Sequence, residues 1–193
     1  VEVNDTTFII LGSQSLEAAS GFADIKEDQL SWLRDTLKTA SMEDRPVFIF
    51  IHQPLKDTVS GSLASIDPEI QDWFGVVQDS ELRNILDEYP NAVVFTGHTH
   101  WQLDSLQPLL LSEGDTANYL NAASAGYLWT DLDTELTGSQ GYFVEVYEDY
   151  CLIRGRDFTS GEWISSAQFM LSITSPKAGV DIWLIMGISG GAA

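Results

Sequence analysis

The chain has 193 residues, 29 of them Asp or Glu against 9 Lys or Arg, for a formal net charge of −20. A surface of that sign repels phosphate backbones and anionic headgroups, so nucleic-acid coating is not expected, and a phosphorylated small molecule is admissible only where bound cations invert the local field. With 44% hydrophobic and 11% aromatic residues the chain can bury a core, which excludes global disorder, and its length suits one domain or a large piece of one.

The chain begins at Val1 rather than Met, with no basic-then-apolar leader, so a cleavage or an artificial boundary is expected at its start. Thr7-Phe8-Ile9-Ile10-Leu11, ended by Gly12-Ser13, predicts a buried strand and a turn. Asp24 and Glu27 stand at capping-box spacing ahead of Leu30, Leu33 and Leu37, which share one face of a helix predicted from about Lys26 to Ala40. Pro46-Val47-Phe48-Ile49-Phe50-Ile51 is a continuous apolar run, too short for a typical helix and rich in β-branched and aromatic residues, hence a strand covered on both faces. Gln53 to Trp73, with Pro54, Gly61 and Pro68, reads as a long irregular excursion.

Asp79 as cap, with Leu82, Ile85 and Leu86 on one side, predicts a short helix ending near Tyr89-Pro90. Ala92-Val93-Val94-Phe95-Thr96 is a further buried strand, stopped by Gly97. Strands follow over Tyr119 to Ala122, Gly141 to Tyr147, Tyr150 to Arg156 and Trp163 to Leu171, with turns at Glu148-Asp149 and Ser160-Gly161. The one cysteine, Cys151, excludes an intramolecular disulfide and a Cys-cluster metal site, and its strand pattern reads it as a buried small hydrophobe. Residues 173–193 form an apolar and Gly-rich tail, whose run Val180 to Met186 is far below the ~18 residues of a membrane span. It reads as an extra strand, a truncated anchor or a non-native extension. Two strand-helix-strand units followed by consecutive strands suggest a mixed α/β layered domain over residues 1–172 rather than a pure doubly wound sheet.

All three histidines, His52, His98 and His100, fall just beyond the carboxyl ends of two predicted buried strands, where ligands collect in open α/β sheets. In extended conformation His98 and His100 would lie on one face, and Gly97 would permit a tight turn before them. Neutral imidazoles suit zinc, iron, manganese or nickel, and an acidic chain supplies carboxylates. Three unrelated hydrogen-bonded histidines are the competing reading of the spacing.

Phe48-Ile49-Phe50-Ile51-His52-Gln53-Pro54, followed by Val93-Val94-Phe95-Thr96-Gly97-His98-Thr99-His100, resembles the last two signature motifs of the calcineurin-like metallophosphoesterase superfamily. The resemblance extends from about Phe8 to Ile164 and includes Gln29-Leu30-Ser31-Trp32-Leu33 and Tyr119-Leu120-Asn121-Ala122-Ala123-Ser124. It implies the C-terminal portion of a four-layer αββα sandwich with mixed sheets. It also implies a site for two divalent ions (Zn, Mn or Fe), with His52 and His98 on one and His100 on the other. The superfamily's earlier motifs, Asp-x-His, Gly-Asp-x-x-Asp and Gly-Asn-His with Asp or Glu, do not occur in this chain. Three imidazoles do not suffice for two ions about 3.5–4 Å apart, which need a bridging carboxylate, whereas they can hold one zinc with an open position.

The resemblance implies hydrolysis of a phosphomonoester or phosphodiester by metal-activated water, as part of an intact domain. It also implies an extracellular or cell-surface location. One alternative is a non-catalytic fragment or degenerate module that docks through an exposed sheet onto another chain, such as an N-terminal half. Another is a self-assembling subunit that adds its tail to a neighbour as a strand. Further residues carry two readings each. Asn121 packs or touches substrate, and Trp101, Tyr127 and Trp129 pack or wall a cleft. Asp57 and Asp104 replace missing carboxylates or lie near the histidines by chance. Ser60-Gly61-Ser62 cradles a phosphate or is a plain turn.

Overall fold

The computed structural model describes residues 1–14, 21–40, 45–63, 75–114 and 116–172, and the backbone of 183–184. The chain is mixed α/β and mostly strand, with two helices among the described residues. In order these are β1 (Glu2–Val3), β2 (Thr6–Ile10), α1 (Glu27–Ala40), β3 (Val47–Ile51), α2 (Asp79–Leu86), β4 (Ala92–Thr96), β5 (Leu109–Leu110) and β6 (Asn118–Asn121). Then follow β7 (Tyr127–Trp129), β8 (Glu135–Thr137), β9 (Gln140–Val146), β10 (Tyr150–Asp157), β11 (Glu162–Ser172) and β12 (Trp183–Leu184).

A six-stranded sheet has the order β1-β2-β3-β4-β6-β5. Its inner strands β2, β3, β4 and β6 run parallel, while β1 and β5 add antiparallel at the margins. Side chains alternate across a strand, so β3 and β4 serve two cores at once. Val47, Ile49 and Ile51 of β3, with Ala92 and Val94 of β4, face Leu30, Leu33 and Leu37 of α1 and Leu82, Ile85 and Leu86 of α2. Phe48, Val93, Phe95 and Leu120 face the other way, onto Cys151, Ile153, Ala167, Phe169 and Leu171. Those last residues belong to an antiparallel four-stranded sheet, β12-β11-β10-β9. Gly155 sits at the irregularity between Arg154 and Arg156, where an added Cβ would stand 2.7 Å from the Cβ of Ala167. Only glycine admits that approach.

The predicted helices are present, but their starts differ. The carbonyl of Lys26 accepts the first α1 bonds from Gln29 and Leu30, and Gln14 Oε1 accepts from the Lys26 N–H. Asp24 is not the cap: its carboxylate takes Lys26 Nζ and Gln78 Nε2 instead. Asp79 is likewise the first residue of α2 rather than its cap, accepting from the Lys56 N–H at 2.7 Å, and Gln78 occupies the cap position without a side-chain bond. At Asp24 the neighbouring Lys26 and the distant Gln78, and at Asp79 the Lys56 N–H, take the carboxylate from the local capping bond. Gln29 clamps the turn after β2, accepting from the Gly12 N–H at 3.0 Å and donating to the Gly12 carbonyl at 2.9 Å.

Of the predicted excursion from Gln53 to Trp73, the part beyond residue 63 lies outside the described residues, as does the tail except β12. The β12 backbone pairs with β11 in the register Phe169↔Leu184 and Met170↔Trp183. Among the described residues no helix is long and apolar enough to cross a membrane.

Candidate metal centre

β3 and β4 are adjacent and parallel, with Ile51 opposite Thr96, so the chain leaves both at the same sheet end. His52 and Gly97 are the next residues, and the Gly97 N–H donates to the His52 carbonyl at 3.0 Å. That bond holds the two loop starts together. A Cβ at Gly97 would stand 3.6 Å from His52 Nδ1, an ordinary contact, so space does not require glycine there.

The histidine pair is not extended. His98 has φ 66° and His100 φ 59°, both in the left-handed region, and Gly97 is not among the positive-φ glycines. The Thr99 N–H reaches the Gly97 carbonyl at 2.7 Å, closing a three-residue turn centred on His98. A positive φ at the centre of such a turn marks its strained form. Each non-glycine residue in this region costs on the order of 1–3 kcal/mol, and such strain concentrates at functional sites. The extended geometry expected from the spacing is therefore replaced by a tight bend, because the segment must also dock Thr99 inward. Thr99 is buried, and its Oγ1 donates to the Ser60 carbonyl.

The bend brings His52 Nε2 to 3.1 Å from His98 Nδ1, with the rings nearly perpendicular at 79°. Two imidazole nitrogens bound to one ion at about 2.0–2.1 Å, with openings from right-angled to tetrahedral, stand about 2.8–3.4 Å apart. The separation matches two ligands of one ion and equally a hydrogen bond from one ring to the other. Burial, then the neighbouring His52 and His100, push the His98 pKa below its ordinary value. Burial, then His52, do the same for His100. Both effects favour the neutral, ligating form of the ring.

His100 does not join the pair. Its ring stands edge-on to Tyr127, with centroids 4.5 Å apart, and its buried Nδ1 finds no hydrogen-bond partner among the described residues. Among those residues no group of three or more His, Cys, Asp or Glu side chains is placed to hold a metal ion. Among the described residues the donors that stand together are therefore His52 and His98, with the His100 imidazole nearby.

The walls are built by long-range backbone pairing. The Trp129 N–H donates to the His100 carbonyl and the Gln102 N–H to the Trp129 carbonyl, both at 2.9 Å, which sets β7 and Tyr127 alongside His100. Trp101 is buried, and its indole N–H donates to Asp131 Oδ1 at 3.2 Å. Asn121 is fully buried, donating from Nδ2 to the Trp101 carbonyl at 2.7 Å and accepting from the Ala123 N–H at 3.2 Å. In Ser60-Gly61-Ser62 the N–H of Ser60 goes to Gln107 and that of Ser62 to Val59. Gly61, at φ +83°, lies flat against Thr99 and Trp101, where a Cβ would stand 2.5 Å from Thr99 Cβ.

Asp131 and Gln140 were not singled out from the sequence. Asp131 fastens Trp101 and the Leu106 N–H, and Gln140 Oε1 accepts from the Leu103 N–H. The turn composition Thr130-Asp131-Leu132-Asp133-Thr134 was the available signal for the first, and none existed for the second. No protein-family model matches the chain, and a search of curated proteins found no match.

Proposed function

We propose that this chain carries the histidine side of a divalent-metal centre that hydrolyses a phosphomonoester or phosphodiester, within a four-layer αββα fold of the calcineurin-like kind. The observation that supports this most directly is the 3.1 Å approach of His52 Nε2 to His98 Nδ1 at the carboxyl ends of two adjacent parallel strands. His52 and His98 are the residues that would hold the ion. When bound, it would supply Lewis-acid polarisation of a phosphoryl oxygen and a more acidic water. The chain's own contribution is orientation: the Gly97–His52 backbone bond and the strained turn at His98 fix both rings before any ligand arrives. Tyr127 packs edge-on to the His100 ring, whose buried Nδ1 has no hydrogen-bond partner among the described residues.

The substrate is a small phosphoester rather than a polyanion, since the net charge of −20 repels extended phosphate chains. The test is elemental analysis of the isolated chain, with turnover of a chromogenic phosphodiester by wild type and by a His98→Ala, His100→Ala double variant. Bound metal with histidine-dependent turnover supports the reading. Absence of both after incubation with zinc or manganese refutes catalysis by this chain.

A further inference from the structure

β1 and β2 are joined by a two-residue hairpin turn. Val3 pairs with Thr6, and Asn4 and Asp5 between them have φ 48° and 59°. Positive φ at both central positions marks the type I′ turn, whose backbone asparagine and aspartate tolerate. Both tip residues are exposed. Asp5 stands 3.9 Å from the Arg45 guanidinium, whereas the Asn4 amide makes no hydrogen bond among the described residues.

We propose that Asn4 is the acceptor of an N-linked glycan when the chain is exported. Asn4-Asp5-Thr6 is an Asn-x-Thr acceptor whose middle residue is not proline. The chain has five asparagines, Asn4, Asn84, Asn91, Asn118 and Asn121, and only Asn4 stands two residues before a serine or threonine. Asn118 and Asn121 are buried, with their amides engaged inside the chain. The co-reactant is an oligosaccharide carried on a polyprenyl diphosphate. Transfer forms a bond from Asn4 Nδ2 to C1 of the sugar and breaks the C1–O bond to the diphosphate, which leaves with the amide proton. Thr6, whose hydroxyl completes the acceptor, is 6% exposed in the folded chain, so transfer precedes the docking of β2 between β1 and β3.

The fold places the glycan away from the histidines. β2 and β3 run parallel, with Thr7 opposite Val47 and Ile10 opposite Phe50. The turn before β2 therefore lies at the sheet end where β3 begins, and His52 follows the end where β3 finishes. β1 is also the outer strand of its sheet, and a bulky polar group at its turn hinders further pairing along that edge.

The test translates the full chain, behind a cleavable signal sequence, in the presence of endoplasmic-reticulum microsomes, with protease protection reporting import separately. Imported wild type is expected to give one slower-migrating band that peptide N-glycosidase removes. Deglycosylation in heavy-oxygen water should label Asn4, as aspartate, in the tryptic map. Thr6→Val leaves both turn residues in place and should abolish the band, as should Asn4→Gln. Because transfer precedes folding, a variant that folds poorly still reports. Imported wild type without the band, or a band that survives in both variants, overturns the proposal.

Discussion

Asn121, at the end of β6, holds the carbonyl of Trp101 through its Nδ2 at 2.7 Å, and so ties the strand next to β4 to the segment that carries His98 and His100. Its Oδ1 meanwhile receives the N–H of Ala123, a residue itself at φ 57°. One buried amide therefore serves two irregular segments at the sheet end where the histidines gather. Both of its bonds close within the chain, which makes it a positioning residue for the site.

Asn121→Ala leaves the Trp101 carbonyl and the Ala123 N–H without this partner in a buried setting, a loss of about 1–3 kcal/mol. Asn121→Asp keeps the acceptor and removes the donor, so the Trp101 end is lost while the Ala123 end remains. Urea denaturation should rank wild type above both. Zinc affinity should fall in both variants, although neither removes a ligand. A variant with wild-type stability would show that the amide holds nothing.

If His52 and His98 share one ion, their losses are not independent. Either single alanine substitution should weaken zinc binding by roughly tenfold or more, and the double variant should cost little beyond the worse single, because the site is already gone. Calorimetric titration of the full chain measures all four. Additive losses would mean that the 3.1 Å approach is a hydrogen bond between rings and not a shared site.

The sheet was legible because its inner strands are largely buried on two sides, with Phe50 of β3 and Ile10 of β2 the exposed exceptions. Val47–Ile51 and Ala92–Thr96 are unbroken apolar runs, and the structure makes them adjacent parallel strands with one face on the helices and one on the second sheet. α1 was equally plain, since Leu30, Leu33 and Leu37 repeat with the helix period and are all buried. The position of the histidines at the strand ends followed from those runs. Their conformation did not: the positive φ falls on His98 and His100 rather than on Gly97, because the bend is set by Thr99 docking on Ser60, a contact across 39 residues. β7 and β8 were missed for the same reason. They are three residues each, largely exposed in β8, and β7 owes its place to backbone bonds with His100 and Gln102. Local period carries no trace of such partners.

Cys151 is fully buried between the sheets, and burial pushes its thiol up to about 12. The thiolate is the reactive form, so a disulfide reagent at mildly alkaline pH should label the native chain slowly and the urea-unfolded chain at once. Cys151→Ser buries a hydroxyl among apolar side chains, at about 1–3 kcal/mol, and should be less stable than Cys151→Ala. Fast labelling of the native chain would mean that the core between the sheets opens readily.

Asp157 closes the turn between β10 and β11, its Oδ1 accepting from the N–H of Thr159 at 2.8 Å and of Ser160 at 2.9 Å. The bond from Ser160 leads in holding its carboxyl below the ordinary 3.8, with burial opposing and Thr159 assisting. The folded state therefore prefers the ionised form, and the stabilisation is present in full above 3.8 and lost as pH falls through that value toward the folded one. Asp157→Asn keeps a carbonyl oxygen but not the charge, so it should be less stable than wild type at neutral pH. As the wild-type carboxylate protonates, the difference should shrink. Urea midpoints compared at pH 7 and near pH 2.5 test this, and a gap that stays constant or widens in acid would show that the turn does not depend on the charge.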